Sequence, residues 1–336
     1  MIKNYWYAIH RSEGVSKKPL SIKRFGENMV LWRNSEDQLS CFLDRCPHRG
    51  TALSLGKIVN NSLECAYHGF RYNETGQCID VPIAPKKNNC ARMLKVRQFP
   101  IQESQGLIWL WWGNPRQTYP ALPWFDDLLD ATKPFVELDR ISPISFGRFM
   151  EANLDFAHFY FVHKFIRMPG MGPLADPFTC STQGDSLKIS GILRHDDDKT
   201  SVSNKRIKLD AEILFPGLAS YDAPAKKEKK NRSIVAASPV DGSSTWFTYR
   251  VYLKPGLSLP LQRTFWKWIF LKMIFPIVHR QDLRLITRQG PSEMGIHSDS
   301  LVTAADQGIV QYFQLWRHAQ AKEKAQTSDS CEQRVG

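Results

Sequence analysis

Arg45-Cys-Pro-His-Arg-Gly-Thr-Ala-Leu-Ser-Leu-Gly56 and Cys65-Ala-Tyr-His-Gly-Phe-Arg-Tyr-Asn-Glu-Thr-Gly-Gln-Cys78 decide how this chain is read. Each stretch offers one thiolate and one imidazole: Cys46 and His48 as C-x-H, Cys65 and His68 as C-x-x-H. A structural Cys2His2 zinc site usually pairs like with like, C-x-x-C and then H-x-x-H. Here each loop mixes the two, and both loops are short and carry glycine, as wrapping a small buried cluster requires. Two cysteines on one iron and two histidines on the other make a [2Fe–2S] centre of raised potential, because neutral imidazole removes negative charge from the cluster. Such a centre is of the Rieske type, and it implies electron transfer. Tyr67, between the second pair, is a candidate donor to a cluster sulfur.

A second constellation follows in Glu151-Ala-Asn-Leu-Asp155-Phe-Ala-His158-Phe-Tyr-Phe-Val-His163. On an ideal helix, positions five apart diverge by roughly 140°. If His158 and His163 are to reach one metal, the helix must loosen or end after His158, and a π-type widening is one way to do so. Two histidines and a carboxylate form the facial triad of non-heme Fe(II) sites. Asp282, in Pro276-Ile-Val-His-Arg-Gln-Asp282-Leu-Arg-Leu-Ile-Thr-Arg-Gln-Gly290, can supply the carboxylate. Pro276 suits the first turn of a helix, and Gly290 suits its end. Val278, Asp282, Leu285 and Ile286 then make an inward stripe, opposite Arg280, Arg284 and Arg288. A buried aspartate turned away from those arginines calls for a metal.

Taken together, Cys46, His48, Cys65, His68, Asp155, His158, His163, Asp282 and Gln289 resemble, in order and spacing, the α subunits of the Rieske non-heme iron oxygenases. The resemblance spans roughly Trp6 to Trp316, with one departure: Ala66 stands where that family usually has proline. It implies that His158, His163 and Asp282 bind a mononuclear iron. It further implies that Asp155 bridges His158 to a Rieske histidine, His68, of an adjacent subunit, and hence a homotrimer. The ring-dihydroxylating branch often has asparagine four residues before the bridging aspartate. This chain has Glu151 there, which leans toward monooxygenation. Length and the late QDLRLITRQ segment look like the single-subunit branch, which includes O- and N-demethylases, chlorophyllide a oxygenase and cyanobacterial alkaloid hydroxylases.

The 336 residues allow two domains, and a 42% hydrophobic content is ordinary for a soluble protein. The fold class expected is α+β. An all-β Rieske domain over 1–115 contains strands at 29–32, 39–43 and 107–112. A catalytic domain over 116–318 has an antiparallel sheet, with strands at 186–190, 209–215 and 245–252, flanked by helices. The polar tail 319–336 reads as disordered. Seven cysteines without a paired framework, and no apolar signal core in MIKNYWYAIHRSEG, point to a reducing, cytoplasmic setting. The apolar run 265–278 is too short and too lysine-interrupted to span a bilayer. It reads either as a core segment or as a peripheral membrane contact.

Net charge is +12, but no nucleic-acid-binding signature accompanies it. Arg45, Arg49, Lys57, Arg71, Lys86 and Lys87 instead suit an acidic ferredoxin or ferredoxin reductase. Gly170-Met-Gly172-Pro-Leu-Ala175 matches a loose dinucleotide fingerprint but has no strand-to-helix context, so the electrons must come from a separate protein. The expected function is a terminal oxygenase that monooxygenates a hydrophobic ring-bearing small molecule with O2. The alternatives are a cis-dihydroxylating ring dioxygenase and a plain Rieske electron carrier. A carrier would hold roughly two irons per chain and an oxygenase roughly three.

Overall fold

The computed structural model describes residues 1–84, 90–129, 135–167, 171–195, 206–223, 231–252, 264–265, 268–290 and 302–332. The chain divides into two compact units. The first is built on Lys3–Leu122 with Ser238–Gly242, the second on Pro123–Ala237 and Ser243–Gly336. The division falls inside the proline-bearing connection, a few residues beyond the boundary expected at 115.

The first unit is almost entirely antiparallel. Strands β1 (Tyr5–Arg11), β2 (Leu20–Arg24), β3 (Glu27–Arg33), β4 (Leu39–Leu43), β5 (Lys57–Val59), β6 (Ser62–Glu64), β7 (Arg71–Tyr72), β8 (Cys78–Asp80), β9 (Ile101–Ser104) and β10 (Leu107–Trp112) form three small sheets. Their orders are β1-β10-β9, β2-β3-β4 and β5-β6-β7-β8. Three hairpins close through two-residue turns with positive φ at both positions: Phe25-Gly26, Asn60-Asn61 and Gln105-Gly106. That geometry matches the right-handed strand twist and fixes register. Trp32, Phe42, Leu53, Leu63 and Tyr72 are fully buried around Cys46 and Cys65, so the sulfur pair sits on a packed hydrophobic base.

The second unit contains an eight-stranded antiparallel sheet. Its strands are β11 (Phe135–Ser142), β12 (Leu174–Ala175), β13 (Thr179–Gln183), β14 (Ser186–Arg194), β15 (Arg206–Leu214), β16 (Leu218–Ala223), β17 (Asn231–Pro239) and β18 (Thr245–Tyr252). Burial alternates along β14 and β15, with Leu187, Ile189, Leu193, Ile207, Leu209, Ala211 and Ile213 turned to the core; this is the period-two signature of a sheet covered on one face. Around it lie α1 (Phe146–Leu154), α2 (His158–Val162), α3 (Phe275–Ile286) and α4 (Gln307–Glu332). In α4, Gly308 lets the helix close on Ile189, where an added Cβ would come within 2.5 Å of its Cδ1. The Tyr312 hydroxyl donates to Pro216 O at 2.8 Å.

Three expectations change. Residues 319–332 continue helix α4 instead of forming a disordered tail. An Ala-, Lys-, Glu- and Gln-rich sequence propagates a helix once its first turns are anchored by packing. The apolar run 265–278 is neither wholly core nor wholly surface: Phe265, Trp268, Met273 and Ile277 are exposed, whereas Ile274, Phe275 and Val278 line a cavity. The π turn of this unit falls at Phe270–Ile274, not after His158. Lys86, Lys87, Trp266 and Gly170 lie outside the described residues.

Candidate metal centres and substrate cavity

The two cysteine–histidine loops close in the same way. Cys46 N–H donates to Thr51 O at 2.8 Å and Cys65 N–H to Phe70 O at 2.8 Å, each five residues on. Gly50 N–H returns to Cys46 O at 2.8 Å, and Gly69 N–H to Cys65 O at 3.0 Å, each from four residues on. Both glycines adopt the left-handed conformation, φ +79° and +73°, which costs a side-chain-bearing residue about 1–2 kcal/mol. The two loops thus present their ligand residues as a matched pair. The His48 and His68 rings lie 4.9 Å apart, and His48 stacks on Phe70 at 4.6 Å.

The donor set fits a [2Fe–2S] cluster. Both thiols are buried. Burial above all, with the adjacent Cys46, raises the Cys65 pKa even though the Tyr67 N–H works against it. A metal would take those protons off and compensate the thiolates. Partial burial, then the charges of His68 and Arg49, lower the His48 pKa and favour the neutral, ligating imidazole. His68 Nδ1 is buried with no hydrogen-bond partner, as expected of an atom directed at a metal rather than at the protein.

Tyr67, a candidate donor in the sequence, packs through its ring instead. Tyr67 is 57% exposed and its ring lies on His68 at 3.8 Å. The hydroxyl that reaches a ligand sulfur belongs to Tyr72, 3.1 Å from Cys46 Sγ and fully buried. A one-residue strand register sends Tyr72 inward, and the loop motif alone does not reveal that.

In the second unit, helix α1 stops at Leu154 and α2 begins at His158. Asp155 makes the break: its Oδ1 accepts from Ala157 N–H at 2.9 Å and His158 N–H at 3.2 Å, the job of a helix cap. His163 lies just past the end of α2 at φ −102°, ψ 56°. A break before His158 and an end before His163 thus replace the expected π widening as the means of aiming both imidazoles at one point. Their ring centroids lie 5.2 Å apart.

Asp282, on α3, completes the set. Its Oδ1 is 3.0 Å from His163 Nε2 and 3.7 Å from His158 Nε2, and the three ligand atoms lie within 4.8 Å of one another. His163 Nε2 is buried and unmatched in hydrogen-bond geometry despite that short distance. The two groups converge on a shared point more than they bond to each other, which is how facial ligands stand. The stripe that carries Asp282 inward differs from the sequence expectation. Leu285 is 48% exposed, and the cavity face instead holds Phe275, Val278, His279, Leu283 and Ile286.

The far side of each imidazole is also held. His163 Nδ1 is 3.0 Å from Gln281 Oε1, which fixes Nδ1 as the donor and leaves Nε2 for a metal. Burial lowers the His163 pKa, but Asp282 and Gln281 outweigh it and raise it. His158 Nδ1 faces Asp155 Oδ2 at 3.5 Å. Burial works to raise the Asp155 pKa, but the hydrogen bonds and charge of His158 hold it down, so the carboxylate stays ionised at neutral pH. Gln281 was missed in the sequence, since a glutamine beside an aspartate has no motif value. Glu151 is occupied elsewhere, accepting from Arg148 at 2.8 Å. Gln289 lies exposed beyond the end of α3.

The triad opens on a cavity of about 310 Å³. Of the aromatic residues near the histidines in sequence, Phe149, Phe156 and Phe159 line it. Phe146 packs on Trp316 at 6.0 Å, Tyr160 carries Arg167 at 3.9 Å, and Phe161 is exposed.

The Rieske [2Fe-2S] domain family matches residues 5–100. The oxygenase component of dicamba O-demethylase from Stenotrophomonas maltophilia is 33% identical over 166 residues, 48% of this chain and 48% of that one. The 4beta-methylsterol monooxygenase of Methylococcus capsulatus is 30% identical over 205 residues, 58% of this chain and 53% of that one. The TIC 55 protein of Pisum sativum is 31% identical over 157 residues, 46% of this chain but 28% of that one. The chain thus spans about half or less of the length of these relatives. In fold, it superposes on dicamba monooxygenase bound to dicamba with a TM-score of 0.75 at 19% identity, covering 97% of this chain and 99% of that one. Pseudomonas putida CBB5 NdmA gives 0.75 at 21%, covering 96% and 92%. The chain thus carries a Rieske [2Fe-2S] domain, is similar in sequence to oxygenases that carry one, and shares the fold of dicamba monooxygenase and NdmA.

Two outcomes test this geometry. Tyr72→Phe should keep the cluster but lower its reduction potential by about 50 mV. The hydroxyl stabilises the more negative reduced state, and one hydrogen bond to a charged sulfur is worth about 1–1.5 kcal/mol. A redox titration followed by EPR reads the shift. Gln281→Leu should weaken mononuclear iron binding by about tenfold while leaving the Rieske EPR signal intact, as loss of an orienting partner does.

Proposed function

We propose that the chain is a terminal oxygenase that uses O2 and ferredoxin-delivered electrons to monooxygenate a hydrophobic ring-bearing small molecule, by hydroxylation or oxidative demethylation. One observation carries this reading: His158 Nε2, His163 Nε2 and Asp282 Oδ1 converge on the wall of an apolar cavity. A plain electron carrier would have no use for that arrangement. Two relatives, an O-demethylase component and a methylsterol monooxygenase, support monooxygenation.

In this reading Cys46, Cys65, His48 and His68 hold the cluster, and His158, His163 and Asp282 hold the iron. When bound, the cluster supplies single electrons, and the iron, held on one face by three protein ligands, supplies O2 activation at the remaining positions. The residues do the rest. Gln281 and Asp155 hold the two imidazoles in orientation through their outer nitrogens. The aromatic walls exclude water and place the substrate's ring against the triad.

For the electron donor, Arg45, Arg49, Lys95 and Arg97 surround a groove in which His48 lies. That charge suits an acidic protein, whose approach it would steer. Lys57 and Arg71, also candidates in the sequence, are engaged with Glu64 at 3.2 Å and Asp80 at 2.7 Å, and Arg97 with Glu27 at 3.3 Å, so the docking role falls to Arg45, Arg49 and Lys95. In the homotrimer, Asp155 would bridge His158 to the partner subunit's His68. The Asp155 side chain is 37% exposed, and His68 is only partly buried, so both remain within reach of a neighbour. No described helix is long and apolar enough to cross a membrane; the exposed Phe265, Trp268, Met273 and Ile277 give a peripheral membrane contact its physical basis.

Replacing His158, His163 or Asp282 with Ala should abolish substrate oxygenation and leave the Rieske absorption spectrum unchanged; a variant that kept turnover would refute the assignment. Asp155→Asn should retain both metals yet slow oxidation of the reduced cluster severely in stopped-flow, because it removes the charge that couples the two imidazoles. Light scattering should return a trimer, and a fully active monomer would contradict the bridging role.

A further inference from the structure

The cavity beside the triad holds unsatisfied polar atoms that the metal does not explain. Among the described residues, three buried atoms without a hydrogen-bond partner line it: His163 Nε2, the Tyr221 hydroxyl and Ser142 Oγ. The first is directed at the metal point. The other two come from the sheet, Tyr221 from β16 and Ser142 from β11. Tyr221 packs edge-on against Phe156 at 6.2 Å, and Phe156 lies between the capping Asp155 and His158. A buried hydroxyl left without a partner is costly, and binding sites are where proteins tolerate that cost.

Other polar groups of the lining are already engaged. The Asn153 amide donates to Phe149 O at 2.7 Å, and Tyr249 is hydrogen-bonded with Ser233. Asp210 accepts from Ser190 at 2.7 Å and pairs with Lys208 at 3.0 Å; Asp222 lies 3.8 Å from Arg232.

Among the described lining residues there is no lysine or arginine. The Asp210 and Asp222 side chains alternate to the sheet face opposite Ala211 and Tyr221, where Lys208 and Arg232 meet them. The lining's remaining imidazole, His279, is stacked on Phe275 at 5.3 Å. Burial lowers its pKa, with Arg140 adding to that and Asp282 opposing it, so it is neutral at pH 7. Burial, and to a lesser degree Tyr249, raise the Tyr221 pKa, so its hydroxyl keeps its proton and donates.

We infer that this cavity selects a ring compound whose carbonyl, ether or hydroxyl oxygen accepts a hydrogen bond from Tyr221. The inference rests on the oxygenase reading only for what happens to the compound once bound; the selection is a property of the cavity.

The test is anaerobic binding to the full, metal-loaded chain, read by calorimetry with matched probes. The probes are 4-methoxyacetophenone and 1-acetylnaphthalene, and the counterparts lacking an acceptor at that position, 4-ethylanisole and 1-ethylnaphthalene. At least one ketone should bind about tenfold or more tightly than its ethyl counterpart. Tyr221→Phe should bring that ketone down to its ethyl counterpart and leave the ethyl compound's affinity unchanged, with the Rieske spectrum as the folding control. Should Tyr221→Phe fail to fold, Tyr221→Trp in the same assay must abolish the ketone preference. A preference that survives loss of the hydroxyl overturns the inference, as does the absence of binding by either ketone. Because no O2 is present, these outcomes are independent of turnover. Tyr221-dependent ketone binding by a protein that never consumes O2 would sink the oxygenase reading alone, and turnover with no Tyr221-dependent binding would sink the selection alone.

Discussion

Two buried imidazole nitrogens, His68 Nδ1 and His163 Nε2, have no hydrogen-bond partner, and the rest of this structure is arranged around them. Leaving such an atom unpaired costs about 1–3 kcal/mol. The protein accepts that cost at two places far apart in sequence, each beside other metal-ligating groups: Cys46, Cys65 and His48 in one case, His158 and Asp282 in the other. A metal removes the penalty at both. In each unit the scaffold then works to keep the ligand atoms aimed. Paired loop closures through left-handed glycines do so in the first, and a helix break capped by Asp155 does so in the second.

The supports behind the ligands matter as much as the ligands. Tyr72 holds a ligand sulfur, Gln281 holds the outer nitrogen of His163, and Asp155 serves twice, capping α2 through one carboxylate oxygen and facing His158 through the other. That double use gives Asp155 a local reason to exist independent of any neighbouring subunit. A substitution there loosens the start of α2 as well as the coupling, which is why asparagine, still a good cap, is the informative replacement.

Much of this was legible in the sequence. Strands 39–43, 107–112 and 245–252 match the observed bounds, because runs of aromatic and apolar residues between turn formers leave little choice. The candidate metal ligands could be singled out because ligand chemistry restricts residue type and spacing, and the structure brings His158, His163 and Asp282 together. What could not be read depends on direction in space. Tyr67 and Tyr72 are equivalent on paper, yet strand register buries only the second. Asp282 was placed inward correctly, but Leu285 was not, since the cavity widens the inward face of α3 toward His279 and Leu283. Helix α4 runs through residues that composition marks as disordered, because its anchored first turns make continuation favourable. Gln281, Tyr221 and Ser142 carry no sequence signal; only partner geometry singles them out.

The central claim is that one chain carries a mixed-ligand cluster and, separately, a mononuclear iron on His158, His163 and Asp282. Mössbauer spectroscopy of the fully loaded, reduced protein tests it most directly. The account expects about one third of the iron in a high-spin ferrous doublet of nitrogen and oxygen ligation, distinct from the cluster's own signals. All the iron in cluster signals, with a full complement of labile sulfide and none in that doublet, would contradict it.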